Sequence, residues 1–268
     1  MSGTTAVTDG TGPARSTAAG RTRALARAEL TLLGRTRATL AAAVFVPLIM
    51  PLSLRSAVAS MRLKGTGLTV GSVLLPSSIG FALLFAVYGS LVSVYAARRE
   101  ELVLKRLRTG ELRDVEILAG AALPSVAIGL AQCLILTIAY RATLGVGMPE
   151  RPGLVLLGLL SAFVTWPALA AVTASLSRSV EGAQVAAAPL TLVSLVGSGT
   201  FVPLQLLPDG VAPFCELLPL TPVITLIRGG WSGHLSAHDT VGALVTAVAW
   251  TVIAVFAVRR WFRWEPRR

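Results

Sequence analysis

Six apolar runs decide what this chain can fold into. They cover roughly 38–57, 72–97, 116–140, 153–177, 183–203 and 240–258, and their central parts hold no Asp, Glu, Lys or Arg. A helix needs ~20 predominantly apolar residues to cross the hydrocarbon of a bilayer. One charge at the centre of such a helix costs about 2.5–3.5 kcal/mol on the insertion scale, so the charges gather between the runs. With 54% hydrophobic and 14% charged residues in 268, the chain is too apolar for a single soluble domain of its size. The expected fold is an all-α integral membrane protein with six transmembrane helices.

The formal net charge of +11 could suit nucleic acid, but its placement points elsewhere. Arginines cluster at 15–37, 98–113 and 259–268. Six spans put both termini on one side, and 18 of the 24 Lys and Arg residues fall on that side of the bilayer. Cytoplasmic segments carry the excess of basic residues, so the expected orientation is N-in, C-in. The expected setting is the inner or plasma membrane, multi-pass, with the lipid bilayer as a partner and no nucleic acid. Arg outnumbers Lys 22 to 2, which suggests a G+C-rich bacterial source.

The regions flanking the spans divide by composition. Residues 1–20 are small and polar, read as a disordered cytoplasmic tail with no secretory signal. In 21–37, Leu25, Ala28, Leu32 and Leu33 share one side of a helical wheel, opposite Arg23, Arg27, Thr31 and Arg35. This suits an amphipathic helix on the membrane surface, although Glu29 interrupts the apolar set; a short solvated lead-in is the alternative. The membrane domain is expected to run 21–258, followed by a basic cytoplasmic tail, 259–268. Pro47 and Pro51, Pro76, Pro124, Pro167 and Pro189 place proline in each of the first five spans, where it bends a helix.

The outer segment 204–239 contains an apolar part, 211–227, broken by Pro213, Pro219 and Pro222 and holding Glu216. It is too short and too interrupted for a seventh span. The expectation is a re-entrant helical hairpin between helices five and six, packed on the outer mouth, with Arg228 and Trp231 at the membrane interface.

Several chemistries lack their residues. No GxxxxGK[ST] motif occurs, so the chain has no P-loop of its own. Ion-coupled transport needs an ionisable group within the membrane, and the span cores have none. Their polar groups, such as Ser93, Gln132, Thr137, Thr165, Thr191 and Ser194, suit bonds to neighbouring helices or their own backbone. No carboxylate pair or Ser/His arrangement suggests catalysis, and Cys133 and Cys215 are expected to stay unpaired. His234 and His238 read as solvated loop residues. No catalytic, cofactor-binding or metal-ligating residue is expected.

One charged island stands between the second and third runs. RREELVLKRLRTGELRD, 98–114, carries ten charged side chains in seventeen positions and must lie outside the hydrocarbon. Val103, Leu104 and Leu107 line one side of a short helix, Lys105 and Arg106 point away, Glu100 and Glu101 sit at its start, and Gly110 ends it. Such a helix suits docking by a soluble partner; a solvated topology loop is the other reading.

RREELVLKRLRTGELRDVEILAG resembles the cytoplasmic loop of type-2 ATP-binding-cassette transporter permeases. Glu100, Leu104, Lys105, Arg106, Leu107, Arg108, Glu116, Ile117 and Leu118 match the family pattern. Leu102 departs from it, where Gly is favoured, and so does Glu111, where Pro is usual. GTFVPLQLLPDGVAPFCELLPLTPVITLIRGGWSG, 199–233, is similar to the family's outer segment, with its Leu-Pro-Leu-Thr-Pro step and following Arg.

The resemblance implies a half-size exporter permease, not itself an enzyme. It would be driven by a separate ATPase subunit that binds ATP and Mg, and paired with a second permease copy as a homodimer or heterodimer. The loop 98–114 would supply the coupling helix. Glu100, Leu104, Lys105, Arg106, Leu107 and Arg108 would contact the ATPase, with Leu104 and Leu107 filling its groove and the charges setting register. Drugs, antibiotics or other amphipathic molecules are the expected cargo. Lipid or polysaccharide export, or a non-transporting scaffold that docks a cytoplasmic partner, are the alternatives.

Overall fold

The computed structural model describes residues 69–108, 113–200 and 210–262. The first apolar run, the tail 1–20, the stretch 21–37, Gly110 and Glu111, 204–209 and the end of the basic tail, 263–268, lie outside the described residues.

A capping box starts the first described helix. Thr69 Oγ1 accepts from the Ser72 backbone N–H at 3.1 Å, and Ser72 Oγ accepts from the Thr69 N–H at 2.9 Å. From there α1 (Val70–Ala82) runs into a π-helical segment, Leu83–Gly89, and on into α2 (Ser90–Glu100). Together they form one apolar rod of 31 residues. After a turn at Glu101 and Leu102 comes the short α3 (Val103–Arg108), then α4 (Asp114–Leu144), α5 (Pro152–Leu176) and α6 (Val180–Gly197). Two further short helices, α7 (Ala212–Glu216) and α8 (Thr221–Ser232), precede α9 (Ala237–Trp261).

Five of these stretches are long and apolar enough to cross a membrane, and they coincide with the second to sixth apolar runs. The helices overrun the apolar runs where polar residues cap them. Glu116 reaches back to accept from the Arg113 N–H at 2.9 Å, so α4 begins at Asp114. It ends at Gly145, in the left-handed region at φ 65°, a common helix stop. The fifth run ends early instead: α6 stops at Gly197, and Gly199 turns the chain at φ 73°.

The helices alternate between two ends, named here for Thr69 and Glu100. α5 is central, packing against α2, the π segment, α4, α6, α8 and α9. Trp166 of α5 is fully buried and meets Tyr88 edge-on at 5.4 Å between ring centroids. Between helices, side-chain hydroxyls pair: Ser78 with Tyr140 at 2.8 Å, Tyr88 with Thr173 at 2.9 Å, and Thr165 with Thr251 at 2.8 Å. Such pairs hold membrane helices together where burying apolar surface gives no driving force. Small residues let the rods approach: a Cβ on Gly129 would lie 2.5 Å from Cγ2 of Val87.

The polar span residues behave largely as their type suggests. Thr137 bonds back to the Cys133 carbonyl at 2.7 Å, Thr191 to Ala187 at 3.0 Å, and Ser93 accepts from Gln184 across the helix pair. Ser194 is an exception, buried with no hydrogen-bond partner for its hydroxyl, and the Gln132 side-chain oxygen is likewise unmatched. Cys133 and Cys215 are buried free thiols.

Candidate functional site

The charged island does not begin where its charges do. Arg98, Arg99 and Glu100 continue α2 for a last turn, so Glu100 closes the long rod instead of opening the short helix. Arg99 is almost wholly buried, at 2% exposure. Its guanidinium donates to the Ala174 carbonyl and, at 3.3 Å, to the Ser177 carbonyl. These are carbonyls at the end of α5, which have no partner within the helix, and a cation there also complements the helix dipole. The α2 and α5 ends are thereby tied together. The sequence carried a signal for this: Arg99 stands four residues after Tyr95, seven after Val92 and eight after Leu91, all three buried on one face.

The chain then reverses sharply. Leu102 adopts φ 59°, in the left-handed region that costs an L-residue about 1–2 kcal/mol. Glycine carries no such penalty, which is the physical reason a glycine suits this step. The Leu102 N–H donates to the Arg99 carbonyl at 3.1 Å, and the Leu102 carbonyl accepts from the Arg106 N–H at 3.0 Å, leading directly into α3.

On α3, Leu104 is fully buried where the helix packs against α2 and α4, and Val103 is half-buried. Arg106 is exposed, as are Glu100 and Glu101 beside it. Lys105, Leu107 and Arg108 fall on the same helix, their side chains outside the described residues. Leu104 and Arg106 thus fall on opposite sides of the helix, with Leu104 turned into the chain's own packing. Arg259 and Arg260 stand exposed on the last turn of α9, which returns to this same Glu100 end.

At the Thr69 end, α7 and α8 form two helices joined through Leu217–Leu220. Pro222 sits in the first turn of α8, where its missing N–H costs nothing. α8 packs against α1, α5 and α9. Arg228 is buried, 7% exposed, and its Nη2 donates to the Gly199 carbonyl at 2.9 Å. Burial pulls its guanidinium down to about 10, which leaves it a cation at neutral pH. Trp231 is half-buried, its indole N–H donating to Gly147 at 3.2 Å. His238 is exposed beside Asp239, and His234 lies at the rim of a cavity of about 740 Å³ between α1, α4 and α8. No cluster of three or more metal-ligating side chains occurs among the described residues.

Comparison with known families matches residues 21–231 to the ABC-2 type transporter family. A search of curated proteins found none that matches. The matched region takes in the charged island, α3, α7 and α8 up to Trp231, so Arg99 and Arg228 both lie within it. With that match over most of its length and five described helices long and apolar enough to cross a membrane, the chain belongs to the ABC-2 type transporter family and is a multi-pass transmembrane permease.

Proposed function

We propose that the chain is the membrane subunit of an ATP-driven exporter, with α3 as the coupling helix on which a separate ATPase subunit acts. The observation that carries this reading is the short charged helix that the Leu102 reversal sets at the end of the long rod, whose last turn Arg99 ties to α5. A push on α3 is passed to two spans at once. Glu100, Arg106, Lys105, Leu107 and Arg108 make the contact with the ATPase, and Leu104 anchors α3 to the permease beneath it. ATP and Mg sit on the ATPase. The missing P-loop and the absence of ionisable side chains from the span cores fit a permease whose energy arrives from a partner.

In this reading the undescribed first run completes six spans, N-in and C-in, and α7–α8 form the outer re-entrant hairpin. Two permease copies, identical or sibling, share the transport path in the inner or plasma membrane of a bacterium. The cargo is a drug, antibiotic or other amphipathic molecule, moved outward.

The test is co-purification from native membranes in mild detergent. Glu100→Arg and Arg106→Glu are chosen because both positions are exposed, whereas a charge at Leu104 would disturb the fold. The wild type should bring down an ATPase with a Walker A motif, and the double charge reversal should lose it while keeping its thermal stability. Recovery of the ATPase with both proteins alike would exclude α3 as the contact. Export that survives ATP depletion but collapses with the ion gradient would overturn the ATP-driven reading altogether.

A further inference from the structure

Among the described residues, no carboxylate answers the buried guanidinium of Arg228. Its one hydrogen bond among them is to the Gly199 carbonyl, and its Nε has no partner. A buried charge normally costs several kcal/mol unless it is paired, so such a group is retained where something answers it. Arg228 lines the cavity of about 740 Å³ at the Thr69 end. That volume is within the ~300–1,000 Å³ range of small-molecule sites.

The rest of the wall defines what would fit. Thr225 offers a hydroxyl one helical turn before Arg228, while Val146, Leu235 and Trp231 supply apolar surface. Glu150 is the one carboxylate among the lining residues, and its side chain lies against Gly233, where an added Cβ would collide with it. A guanidinium beside a hydroxyl, in a wall that is partly apolar and partly polar, is matched to an oxyanion carried on an apolar body.

We propose that this cavity is a binding site for an amphipathic molecule bearing a phosphate or carboxylate, with Arg228 as the anion-binding residue and Thr225 beside it. The site stands apart from the export reading: it requires no ATPase and no turnover. Its occupant comes either from the surrounding bilayer, as an anionic lipid headgroup, or from water, as a small amphiphile.

The experiment uses the full chain in phosphatidylcholine nanodiscs, with Trp231 fluorescence as the readout and Trp231→Phe to isolate that signal. Dodecyl phosphate should give a saturable change, and dodecanol at the same concentration should not. Arg228→Gln should weaken dodecyl phosphate at least about tenfold, since a charge-assisted bond in a desolvated site is lost. Arg228→Lys should retain most of the binding. Should Arg228→Gln not fold, Thr225→Leu keeps the cation and fills the cavity beside it, and it too should weaken binding. Competition by phosphatidylglycerol in the nanodisc assigns the site to a lipid headgroup, and competition by inorganic phosphate in the buffer assigns it to a soluble anion. Equal responses to dodecyl phosphate and dodecanol overturn the proposal, as does unchanged affinity in the folded variants.

Discussion

The guanidinium of Arg99 donates to the backbone carbonyl of Ser177 at 3.3 Å, bridging the last turn of α2 to the residue that ends α5. It also meets the Ala174 carbonyl one turn earlier. Arg99→Ala would leave those carbonyls without a donor in a buried place. Hydrogen bonds from a charged donor contribute about 1.5–3 kcal/mol, so the variant should melt clearly lower in detergent. Arg99→Lys should recover part of the loss, because one ammonium cannot reproduce the planar fork. Thermal unfolding followed by tryptophan fluorescence measures both; identical melting of wild type and Arg99→Ala would mean the bridge contributes nothing.

Leu102→Gly should act in the opposite direction. The residue is 38% exposed and sits at φ 59°, so the change gives up little packing and relieves about 1–2 kcal/mol of backbone strain. The added freedom of the unfolded chain offsets part of this, leaving a net gain of up to about 1 kcal/mol. A raised melting temperature supports the reading. Leu102→Val should fare worse than wild type, because branching at Cβ is least tolerated at positive φ.

Gly129 of α4 and Val87 of the π segment form a close pair. Gly129→Ala should overpack by about 1–3 kcal/mol, since the new Cβ would lie 2.5 Å from the Val87 methyl. Val87→Ala removes that methyl and should restore much of the loss in the double variant. Additive losses, with no rescue, would show that the two helices do not meet at this point.

At the start of α9, Ser236 Oγ accepts from the Asp239 N–H at 3.0 Å and pairs with the Asp239 carboxylate at 2.7 Å. Ser236→Ala should cost about 1 kcal/mol through loss of this cap, and Ser236→Asn much less. Hydrogen exchange at the first turn of α9 is the direct readout, expected to quicken in the alanine variant alone.

The membrane architecture was legible because it rests on properties summed along single segments. The five described spans were visible as apolar runs, and their ends moved only by the reach of local caps such as Thr69–Ser72 and Arg113–Glu116. The break between α7 and α8 was visible in Pro219 and Pro222 for the same local reason. The roles of the island residues were less legible. Ten charges in seventeen positions imply solvent, yet Arg99 among them is buried, and Leu104 faces inward to the chain's own helices.

Transfer free energy is close to a sum over residues, so the sequence by itself determined that this chain is a helical membrane protein. Family-like motifs at both ends added which class of permease it resembles. Only the tertiary structure decided which charges turn inward. Arg99 finds the open carbonyls of α5 some seventy-five residues away, and Arg228 finds Gly199 across the Thr69 end. A buried cation needs acceptors from distant segments, and which segments reach it is a property of packing that no local pattern encodes.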